Sequence, residues 1–100
     1  MREVADHVAR TLRHGNQVVL VVSAMGKETD ELLRLAGEVS AIQPGREMDM
    51  LITAGERKAM ALVCLALHHI GIDSESFTGS QAGFLTDTSH QNARIVEVRP

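Results

Sequence analysis

The sequence predicts an α/β layered fold, with a largely parallel sheet and flanking helices, and three observations carry that expectation. Residues 17–23 are an apolar, mostly β-branched run without alternation, the pattern of a strand covered on both faces. Segments with apolar residues at helical spacing lie on both sides of it. Further short apolar runs follow near the C-terminal end, so strands and helices alternate along the chain.

Each element has its own justification. Val4, Val8 and Leu12, with Ala5 and Ala9, recur at helical spacing, so residues 2–13 read as an amphipathic helix that Gly15 and Asn16 terminate. The strand over 17–23 leads into a turn, Ala24-Met25-Gly26-Lys27. Residues 29–40 are helical, with Leu32, Leu33, Leu35, Ala36 and Val39 on or near one face. Pro44-Gly45 marks a loop over 41–45. Residues 46–70 are helical in pattern, with a break expected at Gly55 that leaves a short helix and then a longer one. His68, His69 and Gly71 supply its stop. Residues 73–78 predict a short strand, 79–83 a glycine-bracketed turn, and 84–86 and 94–98 two more strands.

Residues 1–100 read as one unit, without repeat, low-complexity segment or linker. The first predicted element is a helix with no strand before it, and the chain stops just after a strand. An incomplete domain is therefore expected.

Composition narrows the function classes. Apolar residues make up 44% and aromatic residues 2%, so the core is expected to be aliphatic and no platform exists for stacking bases. A net charge of −3 gives no basic footprint for nucleic acid. The apolar runs at 18–22 and 60–67 are too short to cross a membrane. A single cysteine, Cys64, forms no intrachain disulfide, which points to a reducing, cytoplasmic setting. Cys64 lies in an apolar helix and reads as a buried structural thiol. Met48, Met50 and Met60 read as core filler. His68 and His69 are adjacent, and His7, His14 and His90 are scattered, so spacing suggests no metal site.

Three places can carry chemistry. The first is the end of the 17–23 strand, where Ser23 precedes a glycine turn and a helix that begins near Thr29. Ligands of open α/β sheets bind beyond such strand ends, and a helix start offers free N–H groups to an anion. The plain alternative is a β–α connection with Thr29 as its N-cap. The second is Thr53-Ala-Gly-Glu56. It fits a capping box, and Glu56 is equally a carboxylate placed to pair with a substrate ammonium group. The third is Phe77-Thr-Gly-Ser-Gln-Ala-Gly83, whose glycines fit either a close approach to a ligand or a tight turn.

Four segments in order are more specific than any one of them. Val18-Val-Leu-Val-Val-Ser-Ala-Met-Gly26, Thr29-Asp-Glu-Leu-Leu33, Glu47-Met-Asp-Met-Leu-Ile-Thr-Ala-Gly-Glu-Arg57 and Phe77-Thr-Gly-Ser-Gln-Ala-Gly83 resemble the amino-terminal part of the aspartate kinases, in the amino-acid kinase superfamily. The resemblance runs nearly end to end. It implies an amino-acid kinase-like fold and phosphorylation of L-aspartate by Mg-ATP to 4-phospho-L-aspartate, in lysine, threonine and methionine biosynthesis. By the same resemblance Ser23 lies at the active-site end of its strand, near the nucleotide phosphates or the substrate, Lys27, Glu28 and Thr29 hold aspartate, and Glu56 binds its α-ammonium group. ATP with Mg2+ is the implied co-substrate, and a homo-oligomer or the rest of a kinase chain the implied partner.

The family's first strand, with Lys-x-Gly-Gly-Ser and its phosphate-neutralising lysine, has no counterpart in the sequence; Lys27 and Lys58 do not occupy that position. The chain thus resembles an aspartate-binding half-site, not expected to be active alone. A non-catalytic piece with at most weak ligand binding, or another superfamily member with a different acceptor, remain the alternatives.

Overall fold

The computed structural model describes residues 1–24, 26–42, 45–89 and 93–100; Met25 of the first turn, Pro44 of the loop and His90 lie outside them. The elements in order are α1 (Arg2–Arg13), α2 (Glu28–Val39), α3 (Gly45–His69), β1 (Phe84–Thr86) and β2 (Ile95–Val98). Helices α1 and α2 each pack on α3, while β1 and β2 pair with each other. The molecule is a thin slab of 49 × 32 × 14 Å. Its radius of gyration is 16.1 Å, against about 13 Å for a closed domain of this length.

The α1–α3 contact holds the apolar centre. Ala5 and Val8 of α1 meet Val63 and Leu67 of α3, and Leu12, Val18, Val22, Ala66 and Ile72 close around them. The apolar stripe expected on α1 thus faces the core, and its stop is as expected. Gly15 has a positive φ of 86°, and the Asn16 side-chain amide donates to the Thr11 carbonyl at 2.9 Å. At the end of α3 the Ile72 N–H reaches back to the Leu67 carbonyl at 2.9 Å, and the Gly71 N–H to His68 at 3.0 Å. This is the paired bonding of a Schellman stop, with Ile72 and Leu67 both in the apolar cluster.

Residues 17–23 depart from expectation. They belong to no helix and no ladder among the described residues, and their burial alternates. Val18 and Val22 pack on the core, while Val19 and Val21 are 94% and 92% exposed. One face is covered, not two. Residues 73–78 likewise form no strand; the segment lies back along α3, where the Ser74 carbonyl meets His68 Nε2 at 2.9 Å. The ladder the described residues form is antiparallel. Phe84 pairs with Val98, Leu85 with Glu97 and Thr86 with Ile95, with an irregularity between Leu85 and Thr86. The expected parallel arrangement is therefore absent among the described residues, because the sole β-rich run with a core-facing side, 17–23, has no neighbour to pair with. The hairpin strands at 84–86 and 95–98 match their predicted places closely.

Helix α3 corrects two expectations at once. It runs unbroken from Gly45 to His69, so Gly55 is no interruption. Thr53-Ala-Gly-Glu56 is no capping box either. The N–H groups of residues 53–56 lie mid-helix, and the Thr53 hydroxyl donates to the Met50 carbonyl at 3.1 Å. Gly55 is a close-approach point. A Cβ on it would lie 3.0 Å from Leu32 Cδ1, 3.1 Å from Glu28 Cγ and 3.7 Å from Ala24 Cβ. Burial of Gly55 is what lets α2 lie against α3. The stripe on α2 is shallow: Leu33 and Leu35 are exposed, and no α2 residue is fully buried. Of the three methionines expected in the core, Met48 is buried but Met50 is 55% exposed. Cys64 is half-buried, not buried.

The capping-box chemistry occurs instead at Thr78-Gly-Ser-Gln81. The Gln81 N–H donates to Thr78 Oγ1 at 3.3 Å, and the Thr78 N–H donates to Gln81 Oε1 at 2.9 Å. The turn then passes the Phe84 N–H to the Gly79 carbonyl at 2.9 Å and enters the hairpin. At its exit Gly83 has φ 93°, and its carbonyl accepts the Arg99 N–H at 2.6 Å. A Cβ there would sit 1.6 Å from the Arg99 carbonyl oxygen, so only glycine fits.

Two outcomes follow from these glycines. Gly83→Ala should cost at least about 2 kcal/mol locally. It should open the hairpin, read as lost amide-exchange protection over 84–86 and 95–98 with α1 and α3 unchanged. Gly55→Val should cost about 1–3 kcal/mol by overpacking the α2–α3 seam. Gly55→Ala should stay within about 1 kcal/mol, because helix propensity offsets a contact that flexible side chains can relieve. Urea unfolding of the chain measures both.

Candidate functional site

Four of the candidate residues, Ser23, Lys27, Glu28 and Thr29, lie at or just before the start of α2. Ser23 is exposed at the end of the 17–23 segment, and Ala24 is half-buried against Gly55. Gly26 turns the chain with φ 53°, and Lys27 stands as the N-cap residue of α2. Thr29, expected as the N-cap, is instead the second residue of the helix and half-buried. The helix starts earlier because the Lys27 carbonyl already accepts the Glu31 N–H at 2.9 Å.

The cap position donates nothing to the helix start: no side-chain hydrogen bond caps α2. The first-turn N–H groups keep their capacity to receive an anionic oxygen, aided by the positive end of the helix dipole. Three carboxylates, Glu28, Asp30 and Glu31, occupy the same turn. Glu31 turns forward along the helix to Arg34, whose Nε donates to it at 3.2 Å; this hydrogen bond holds the Glu31 carboxyl below its ordinary range. Glu28 reaches across to Lys58 of α3, with 3.5 Å between Oε1 and Nζ.

Glu56 is exposed on α3; it follows Gly55, the point that Ala24 and Glu28 approach, and lies about 100° around the helix from it. The fold therefore brings Ala24, the α2 start and the Gly55–Lys58 stretch of α3 into one seam. The third candidate segment, 77–83, bonds within itself and to the hairpin through Thr78, Gln81 and Gly83. Two surface clefts lie away from the seam. One, of about 340 Å³, is apolar and formed by Leu35, Val39, Ile42, Met48 and Leu51 at the far end of α2. The other, of about 540 Å³, lies between Met1, Asp6 and His69. Among the described residues no three His, Cys, Asp or Glu side chains gather as metal ligands. No helix among them is long and apolar enough to cross a membrane.

Sequence reasoning missed two features of the seam. The Glu28–Lys58 pair joins residues thirty apart and has no local signature. The role of Gly55 had a signal, a small residue amid an uninterrupted apolar helical pattern, which reads equally as a break.

Comparison with known proteins shows which family the chain resembles. The amino acid kinase family model matches residues 1–100. An aspartokinase of Corynebacterium glutamicum is 56% identical over 100 residues, which is all of this chain and 24% of that protein. One of Mycobacterium tuberculosis is 52% identical over the same span, again 24% of its length. The crystal structure of aspartate kinase from Synechocystis superposes with a TM-score of 0.77 at 48% identity, over 82% of this chain and 14% of that one. The chain thus spans about a quarter of the length of the curated relatives it matches. Because the family model matches all of residues 1–100, the chain belongs to the amino acid kinase family.

Proposed function

We propose that this chain forms the aspartate-binding part of an aspartate kinase, which transfers the γ-phosphoryl group of Mg-ATP to the side-chain carboxylate of L-aspartate. The observation that carries this reading is the end-to-end identity, at 56%, with an aspartokinase. The geometry is compatible with it. An acyl phosphate forms when two anions meet, so the site must bind the substrate firmly and offset repulsion with N–H dipoles and cations. In this reading the uncapped start of α2, through Lys27, Glu28 and Thr29, receives a carboxylate of aspartate. Glu56, across the Gly55 contact, takes its ammonium group. Ser23 faces the nucleotide phosphates from the end of its segment.

The finer elements of the reading are part of the same proposal. The segment over 17–23 pairs into a parallel sheet in the complete kinase domain, which covers Val19 and Val21. The enzyme works in the cytoplasm as a homo-oligomer, and residues 1–100 alone are inactive. Aspartate, not glutamate, carbamate or UMP, is the acceptor.

The test places this chain in the corresponding quarter of the Corynebacterium glutamicum aspartokinase and assays phosphoryl transfer by hydroxamate formation. Glu56→Ala should raise KM for aspartate about ten- to a hundred-fold, the loss of one charged hydrogen bond. KM for ATP should hardly move. An unchanged KM for aspartate, or a preference for another acceptor, would sink the reading. A stability loss without a kinetic effect would point to a purely structural Glu56. The mid-helix position of Glu56 already excludes an N-cap as the source of such a loss.

A further inference from the structure

We infer that Lys58 is a positioning residue for the aspartate site: it neutralises and draws aside the Glu28 carboxylate so that the α2 N-terminus can accept an anionic substrate. This rests on the aspartate reading of the site. The observations are geometric. Glu28 is the first residue of α2, and its Cγ is wedged at the Gly55 contact, 3.1 Å from where a Cβ would stand. Its carboxylate has Lys58 Nζ at 3.5 Å, one helical turn beyond Gly55 on α3. Glu28 is the less exposed partner, at 30% against 60% for Lys58.

A carboxylate in the first turn suits a helix dipole in an empty protein. It is a liability when that same turn must receive a carboxylate ligand, because like charges then share one set of N–H groups. The structure deals with two of the three first-turn acids by pairing them with cations, Glu31 with Arg34 and Glu28 with Lys58. The Arg34 pair lies within α2 and draws Glu31 toward the next turn. The Lys58 pair spans the seam, so it also ties the start of α2 to the helix that carries Glu56. Glu28 then serves the substrate through its backbone N–H, not its side chain. The net local charge of the pair is zero. Removing Lys58 alone leaves a negative charge facing the substrate; removing both members restores neutrality.

That cycle is the experiment. Aspartate affinity is measured by NMR titration of this chain, and aspartate KM in the aspartokinase that carries it as its corresponding segment. Lys58→Met should weaken aspartate about three-fold in both, the scale of one exposed ion pair. The penalty should shrink as salt is raised from about 0.05 to 0.5 M, where screening shortens to a few ångströms. Lys58→Arg should retain wild-type affinity. The double variant Glu28→Gln with Lys58→Met should recover it, and KM for ATP should stay constant throughout. Equal affinity in Lys58→Met and wild type overturns the inference, as does a double variant no better than the single one. Glu56→Ala separates the two levels. If it leaves aspartate affinity unchanged, the aspartate-site reading itself fails; if it weakens aspartate while Lys58→Met does not, only the role of Lys58 fails.

Discussion

The bare backbone of α3 at Gly55 is the constraint on which the rest of the arrangement depends. Both other helices pack on α3, and they use different stretches of it. The buried positions Gly55, Ala59, Val63 and Leu67 recur every four residues. Each step of four advances about 40° beyond a full turn, so the stripe winds through about 120° between Gly55 and Leu67. One helix thereby presents separate faces to α2 and to α1. The α1 end is fixed by ordinary aliphatic packing of Val8 on Val63 and Leu67. The α2 end has no fully buried side chain of its own. It relies on close approach, with Leu32 and Glu28 laid on the glycine. A side chain larger than a methyl at 55 pushes the start of α2 away from α3.

The helices were legible in the sequence because periodicity is a local signal that tertiary contacts reinforce. Residues 2–13 were predicted to the residue. The error at Gly55 arose because helix propensity and packing act in opposite senses on glycine: the first predicts a break, the second rewards a missing Cβ. The capping pattern shows the same limit. Thr53 and Glu56 satisfy it in letters, yet the helix already runs from Gly45, so no free N–H groups remain there to cap. Thr78 and Gln81 satisfy it in fact, since the chain before Thr78 is not helical. A spacing rule is informative only where the preceding residues leave donors unbonded.

Strand pairing was the least legible part. Residues 17–23 have the composition of a strand with two covered faces, but pairing is a property of neighbours, and sequence composition does not name them. Within the described residues a single face is covered, by α1 and α3, and Val19 and Val21 are left to solvent. The slab's 14 Å thickness expresses the same fact in dimensions, since layers packed about 10 Å apart leave no room for a third one over Val19 and Val21. The hairpin was easier to read, being local: its strands lie nine residues apart and its entry is set by the Thr78–Gln81 turn and by Gly83.

The site drew on both kinds of information. Ser23, Lys27, Glu28, Thr29 and Glu56 were singled out by likeness of motif as the proposed site, whereas the contact that spaces α2 from α3 was not legible. Were the chain to bind a ligand with one cationic and two anionic groups, as proposed, that ligand would be best oriented by anchors on rigid elements and not on loops. Here Thr29 lies inside the first turn of α2 and Glu56 inside α3, and the distance between the two elements is set by contact with a glycine backbone, which has no rotamer to relax. The seam therefore acts as a spacer of fixed width. The same closeness brings Glu28 within reach of Lys58, so the contact that sets the spacing also sets the charge at the helix start. Geometry and electrostatics at this edge are consequently not independent: a change that widens the seam both misplaces Thr29 relative to Glu56 and frees the Glu28 carboxylate.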